Sequence, residues 1–231
     1  MDVRNHTAGE ELADFLDRLI HDMREPLRSI GVFAELLGEI SGDRLGGEGD
    51  RALQEIPAGA AKIGSLLEGL SGYAVALREP SEGGPASLQS AFTIVLGEFD
   101  DEIRASGATV TGANLPRVSP SLDRLMQLLR NLIGNALRFR SEAAPVIRVS
   151  AAMEVPGVWT IRVEDNGIGI AKEDCDAVFR PFMRVEGRKY GGVGLGLTAV
   201  KAIVEAYDGT IRMEPLPERG TGCVFTLPEV L

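Results

Sequence analysis

The sequence predicts two domains, an all-α antiparallel helical hairpin followed by an α/β two-layer sandwich with a mixed sheet. Three observations predict it: two apolar runs of heptad type in the first third of the chain, a Pro/Gly-rich segment after them, and alternating strand-like and helix-like patterns over the rest. In the first run Leu12, Leu16, Leu19, Met23, Leu27, Ile30, Phe33, Leu37 and Ile40 follow one another at steps of three or four residues. SGDRLGGEG (41–49) interrupts the pattern, and Leu53, Ile56, Ala60, Ile63, Leu67, Leu70, Ala74 and Leu77 resume it. Two helices alone leave one side of such seams uncovered. A second copy would complete a four-helix bundle, so the hairpin is expected to form a homodimer. Pro57 and the glycines at 59, 64, 69 and 72 weaken the second helix and make a kink there unsurprising.

REPSEGGPAS (78–87) reads as a linker, which puts the domains at 1–80 and 81–231. Beyond it, helices are expected near 88–106, 121–139 and 195–207, and strands near 109–112, 146–153, 158–164, 209–214 and 221–227. Some of these strands are hairpin neighbours, which favours a mixed sheet covered on one face over a doubly wound parallel one.

The chain has 231 residues and a formal net charge of -10, from 24 Lys plus Arg against 34 Asp plus Glu. That field repels phosphate backbones and anionic bilayers, so neither a nucleic-acid nor a membrane-surface partner is expected. Two cysteines, Cys175 and Cys223, make neither a disulfide framework nor a zinc site. No apolar run is long enough to span a membrane and MDVRNHTAGEE lacks a signal peptide's apolar core, so a cytoplasmic protein is expected, with any sensing element outside these residues.

Four groups of residues carry chemistry. His6 lies ahead of the periodic pattern in a fraying terminus and is read as inert. His21 stands two residues from both Leu19 and Met23, about 200° around a helix from each, so it points away from the apolar seam. A packed core histidine fits that position poorly; a plain exposed histidine competes. The segment continues His21-Asp22-Met23-Arg24-Glu25-Pro26-Leu27. A proline inside a helix costs about 3 kcal/mol, which suggests a kink and retained mobility beside the imidazole.

In the second group, Asn131, Asn135, Arg138 and Phe139 fall within about 100° of helical arc, with Leu129, Leu132, Ile133, Ala136 and Leu137 on the other side. One side packs while the other offers amides, a cation and a ring. Amide oxygens suit a magnesium ion that keeps most of its waters and phosphate contacts, although a solvated helix face would look the same.

In the third, Trp159, Ile161 and Val163 alternate with Thr160, Arg162 and Glu164, and the alternation places Asp165 on the apolar side. A carboxylate there needs donors, and the exocyclic amine of adenine is one. Asn166-Gly167-Ile168-Gly169 then forms a turn that a ligand can approach, or simply a tight turn. In the fourth, Gly191-Gly192-Val193-Gly194-Leu195-Gly196-Leu197 opens an amphipathic helix, placing free N–H groups and the helix dipole where a phosphate could bind. It lacks the Lys-Ser/Thr of a Walker loop. Phe179-Arg180-Pro181-Phe182-Met183-Arg184 and VEGRKYGG, between the glycine clusters, read as a short lid.

In this order the motifs resemble the sensor histidine kinase family over essentially the whole chain: a dimerising phosphoacceptor hairpin, then an ATP-binding domain of the kind shared with Hsp90, MutL and gyrase. Asp-Met-Arg-Glu-Pro is similar to phytochrome-type members. The resemblance implies ATP and Mg2+ as ligands, His21 as phosphoryl acceptor, and Asp22 as the base that orients the imidazole, although Glu25 at i+4 faces it better on a helix. It implies that Asn135 holds magnesium, Arg138 touches phosphate, Phe139 lines the base and Asp165 binds adenine. Asn131, Gly167, Gly169, Phe182, Gly192, Gly194 and Gly196 complete the implied nucleotide site. Family members pass the phosphoryl group to an aspartate on a response regulator's receiver domain. Glu25 stands where many carry Thr or Asn, which puts phosphatase activity in doubt, and Arg138 replaces the usual lysine. Asn131 occupies the place of a water-activating glutamate in Hsp90-like ATPases, which disfavours a plain ATPase. A noncatalytic dimeric phosphotransfer or scaffold protein with a relic nucleotide site is the alternative.

Overall fold

The computed structural model describes residues 3–41, 46–78, 84–185 and 192–230. The chain divides into two compact units, Met1–Val75 and Ala76–Leu231.

The first unit is a helical hairpin of α1 (Val3–Ser41) and α2 (Gly46–Leu77). Both helices run through their internal prolines, Pro26 and Pro57. Helix α2 begins inside the expected 41–49 break, at Gly46, whose φ of 67° is a left-handed value open to glycine. A Cβ on Gly38 would meet the Leu53 side chain at 4.0 Å, and one on Gly64 would meet Leu27 at 3.9 Å. The two pairs run in opposite order along the chain, so the helices are antiparallel. Ala13, Leu16, Ile20 and Ala34 of α1 are buried, as are Leu67 and Ala74 of α2. Leu12, Leu19, Met23, Ile30, Phe33, Leu37 and Ile40, by contrast, lie exposed in a second stripe along α1. Heptad spacing thus serves two faces of one helix, and only one of them is covered within this chain.

The second unit opens with β1 (Ala86–Ser87), α3 (Leu88–Glu98), α4 (Asp100–Ser106), β2 (Thr109–Gly112) and β3 (Arg117–Val118). It continues with α5 (Leu122–Arg138), β4 (Val146–Val155), β5 (Val158–Asp165), α6 (Gly196–Ala206), β6 (Ile211–Pro215) and β7 (Thr221–Pro228). Five strands form one sheet in the order β2-β4-β5-β7-β6, parallel only between β2 and β4, so the sheet is mixed. β1 and β3 make a separate antiparallel pair that the sequence pattern did not suggest.

The single helix expected near 88–106 is two. Phe99 leaves the helical conformation at φ -97°, ψ 9°, and its ring comes to rest on α5, where a Cβ on Gly134 would meet it at 3.3 Å. The break turns an aromatic ring onto the neighbouring helix, and the small residue at 134 admits it. Ser87 caps α3, its hydroxyl accepting from the Ser90 N–H at 3.2 Å. Buried side chains of α3, α5 and α6 lie over Ile147, Val149, Ile161, Val163, Cys223, Phe225 and Leu227 of the sheet. Across the sheet Arg162 reaches Glu214 at 3.0 Å and Glu154 at 3.5 Å. Ile161 and Val163 are buried while Arg162 between them is only half-buried and ion-paired, the alternation of a sheet covered on one face.

Candidate functional site

Helix α5 has the two faces that its spacing predicts. Leu129, Leu132, Ile133, Ala136 and Leu137 are buried, Asn131, Asn135 and Phe139 are half-buried, and Arg138 is exposed. Asn131 is oriented by its own helix, its Nδ2 donating to the Gln127 carbonyl at 2.9 Å. Its Oδ1 lies against the start of α6, where a Cβ on Gly196 would come within 2.6 Å of it. Arg138 reaches the glycine loop in the same way, its Nη1 being 2.6 Å from the position of a Cβ on Gly192. Asn131 and Arg138 of α5 therefore meet the glycine loop at Gly196 and Gly192, and Gly192 is held at φ 83°, a left-handed value open to glycine.

Asp165 ends β5 on the core-facing side, as the alternation predicts: its register partners are Ile147 and Thr221, and Ile147 is fully buried. One carboxylate oxygen, Oδ1, accepts from the Gly167 N–H at 2.8 Å and from the Thr221 N–H at 3.3 Å. Burial pushes the carboxyl above the usual aspartate range, and these two backbone donors pull it partly back. The second oxygen, Oδ2, has no hydrogen-bond partner among the described residues.

The turn after Asp165 packs on the end of α5. The Phe139 carbonyl accepts from the Ile168 N–H at 3.0 Å, and a Cβ on Gly167 would collide with that same carbonyl oxygen. Gly169 has φ 85° and faces the backbone of Gly220. On the other side, the Phe182 N–H donates to the Gly194 carbonyl at 2.9 Å, with Phe182 at φ 62° and Gly194 at φ 78°. A left-handed phenylalanine costs about 1–2 kcal/mol, so neighbouring contacts hold it there. Thr198 adds to these, its hydroxyl donating to the Phe179 carbonyl at 3.1 Å. The rest of the expected lid, residues 186–191, lies outside the described residues.

Several positions in the cleft were missed by sequence reasoning. Asn166 is more than a turn residue: its Oδ1 accepts from the Val146 N–H at 2.8 Å and its Nδ2 donates to the Ala144 carbonyl at 3.0 Å, so its amide pins the entry to β4. Thr221 supplies a donor to Asp165, and Gly220 must be glycine, having φ 113° and its would-be Cβ on the Asp165 carbonyl. The only signal was Gly220-Thr221-Gly222 at the start of the last strand.

His21 and Asp22 lie in the first unit, both exposed on α1. The packed-histidine alternative is thereby removed. Glu25 is exposed on the same helix, one turn on.

Comparison with known proteins follows the same division. Residues 121–231 match the family described as "Histidine kinase-, DNA gyrase B-, and HSP90-like ATPase". Cyanobacterial phytochrome A of Nostoc is 32% identical over 222 residues, 96% of this chain and 29% of that protein. The sensor histidine kinase WalK of Bacillus subtilis is 40% identical over 109 residues, 46% of this chain and 18% of that protein. Among solved structures, full-length ShkA in complex with AMPPNP shares the fold, with a TM-score of 0.69 and 22% identity over 94% of this chain and 46% of that one. This chain spans less than a third of the length of these two sequence relatives. The helical region, the mixed-sheet domain and the matched sequences agree: the chain belongs to the sensor histidine kinase family.

Proposed function

We propose that this chain is an ATP-dependent protein histidine kinase that phosphorylates His21 and passes the phosphoryl group to an aspartate on a response regulator's receiver domain. One observation carries the reading. Asn131 lies against Gly196, Arg138 against Gly192, and Gly167 against both the Phe139 carbonyl and Asp165, so these positions gather about the C-terminal half of α5 in the second unit, while the first unit displays His21 on an exposed helix face. Residues 1–80 act as the dimerisation and phosphoacceptor domain and residues 81–231 as the catalytic domain. ATP is the substrate that fits: the free Oδ2 of Asp165 is an acceptor for adenine's exocyclic amine, and Arg138 beside Gly192 is a cation for phosphate.

Among the described residues no cluster of three His, Cys, Asp or Glu could hold a metal alone. A magnesium ion bound with the nucleotide would take most of its ligands from phosphate and water and one from the half-buried Asn135 amide, and it would neutralise phosphate charge. In the transfer, one imidazole nitrogen of His21 bonds to the γ-phosphorus as the bond to the β,γ-bridging oxygen breaks, releasing ADP. The ring proton leaves to Asp22 or to Glu25 one turn on, both exposed beside it.

A homodimer follows from the exposed stripe on α1. Phe33 is 66% and Ile40 71% exposed, and a second hairpin would cover them. No helix among the described residues is long and apolar enough to cross a membrane. We place the kinase in the cytoplasm, where ATP and receiver domains meet.

The test is incubation with γ-labelled ATP and magnesium. Label on the protein that is acid-labile and alkali-stable supports the kinase. Free labelled phosphate alone makes it an ATPase, and no turnover makes it a scaffold.

A further inference from the structure

Helix α5 carries Asn131, Asn135 and Arg138 toward its C-terminal end, and at its first turn it holds a buried cation. Arg124 is 5% exposed, and its Nη2 donates to the carbonyl oxygen of Arg78 at 2.9 Å. Arg78 follows Leu77, the last residue of α2, and both arginines belong to the second unit. Ala76, just before, is 2% exposed. Carbonyls at a helix C-terminus lack intrahelical donors and carry the negative end of the dipole, and a guanidinium answers both. Burial lowers the pKa of Arg124, but a guanidinium keeps its proton, so the site holds a charged group among packed side chains. The position of a buried charge is set by its acceptors, because losing one is costly.

We infer that Arg124 is a positioning residue that couples the exit of α2 to the nucleotide helix. The geometry assigns the coupling a direct route. Arg124 and Arg138 stand on the same helix, about 20 Å apart at 1.5 Å per residue, and a packed α-helix shifts as a body. A displacement of Ala76–Arg78 pulls on the first turn of α5, and the amides and cation at its far end move with it. Signals arriving along α2 would then reach the cleft as a change in nucleotide affinity. What the cleft binds rests on the function proposed above; the tie between Arg78 and Arg124 does not.

The carbonyl that Arg124 holds belongs to the Arg78–Glu79 peptide bond, a trypsin site, and this provides a readout that general destabilisation does not imitate. In the full chain, Arg124→Gln is expected to accelerate cleavage after Arg78 about tenfold relative to cleavage after exposed Arg219, from loss of one charged hydrogen bond. Arg124→Lys, which keeps the charge but not the fork, should fall between. ADP affinity, measured by calorimetry, should fall several-fold in step with the cleavage ratio. An unchanged ratio in both variants overturns the tie, and an accelerated cut with unchanged ADP affinity overturns the transmission. Should Arg124→Gln unfold and raise all cuts together, the Arg124→Lys ratio decides. If the unaltered chain binds no ADP, the proposed nucleotide function fails, while the cleavage ratio still reports on the tie.

Discussion

Replacing Asp165 with asparagine exchanges one oxygen of the cleft for an NH2 group and leaves its shape. Oδ1 of Asp165 already accepts from the N–H groups of Gly167 and Thr221, so the asparagine must keep its oxygen there and turn its Nδ2 to the free Oδ2 position. In the proposed site a donor would then face the adenine amine, another donor. Losing the hydrogen bond to a charged acceptor and leaving donors unpaired should cost about 3 kcal/mol, roughly 150-fold in Kd for ADP. Stability should move the other way. Burial raises the carboxyl pKa, so the folded state holds this proton more tightly than the unfolded one, and above both pKa values the ionised group weighs against folding. The neutral amide escapes that cost and keeps both backbone bonds, so the Tm of the variant at pH 8 should equal or exceed that of the unaltered chain. As pH falls through the raised pKa, the unaltered carboxyl becomes protonated and the difference closes. Calorimetric titration with ADP and thermal melts at pH 5 and pH 8 provide the assay. A Kd within threefold of the unaltered chain, or a Tm several degrees lower at pH 8, would refute the assignment of the two oxygens.

Phe33→Asp should shift the dimer toward monomer in sedimentation experiments, by about 2 kcal/mol per copy from lost apolar burial, and unaltered sedimentation would show that this face is not the interface. Gly194→Ala places a Cβ at φ 78° and 2.8 Å from the Phe182 carbonyl carbon; the expected cost of about 2 kcal/mol is a Tm loss of about 4–8 °C. A Tm within a degree would mean that the loop repacks freely. Cys223 is buried with its thiol pushed up to about 12, so at pH 8 iodoacetamide should alkylate it only after denaturation, and alkylation of folded protein within minutes would contradict its burial.

Local pattern and long-range contact account for what the sequence could and could not disclose. The two faces of α5 and the inward position of Asp165 were legible because helix and strand periods alone dictate them, and burial and register agree. The role of Asn166 was not, because its partners at Ala144 and Val146 lie some twenty residues away and nothing local announces them. Thr221, 56 residues from Asp165, was hidden for the same reason. The break at Phe99 followed from tertiary packing on α5, which overrode a helical pattern that looked continuous. On α1 the seam was legible as apolar but not as two stripes, since a residue facing the neighbouring helix and one left exposed obey the same spacing.

In the proposed function the exposed imidazole of His21 accepts a phosphoryl group from a nucleotide held by the second unit, and His21→Gln separates the acceptor from the nucleotide site. With γ-labelled ATP and magnesium, the unaltered chain should carry its acid-labile label on the peptide containing His21, identified by mass spectrometry. The variant should bind ADP with unchanged affinity and carry no label. Label persisting in the variant, or mapping to any other residue, would contradict the account.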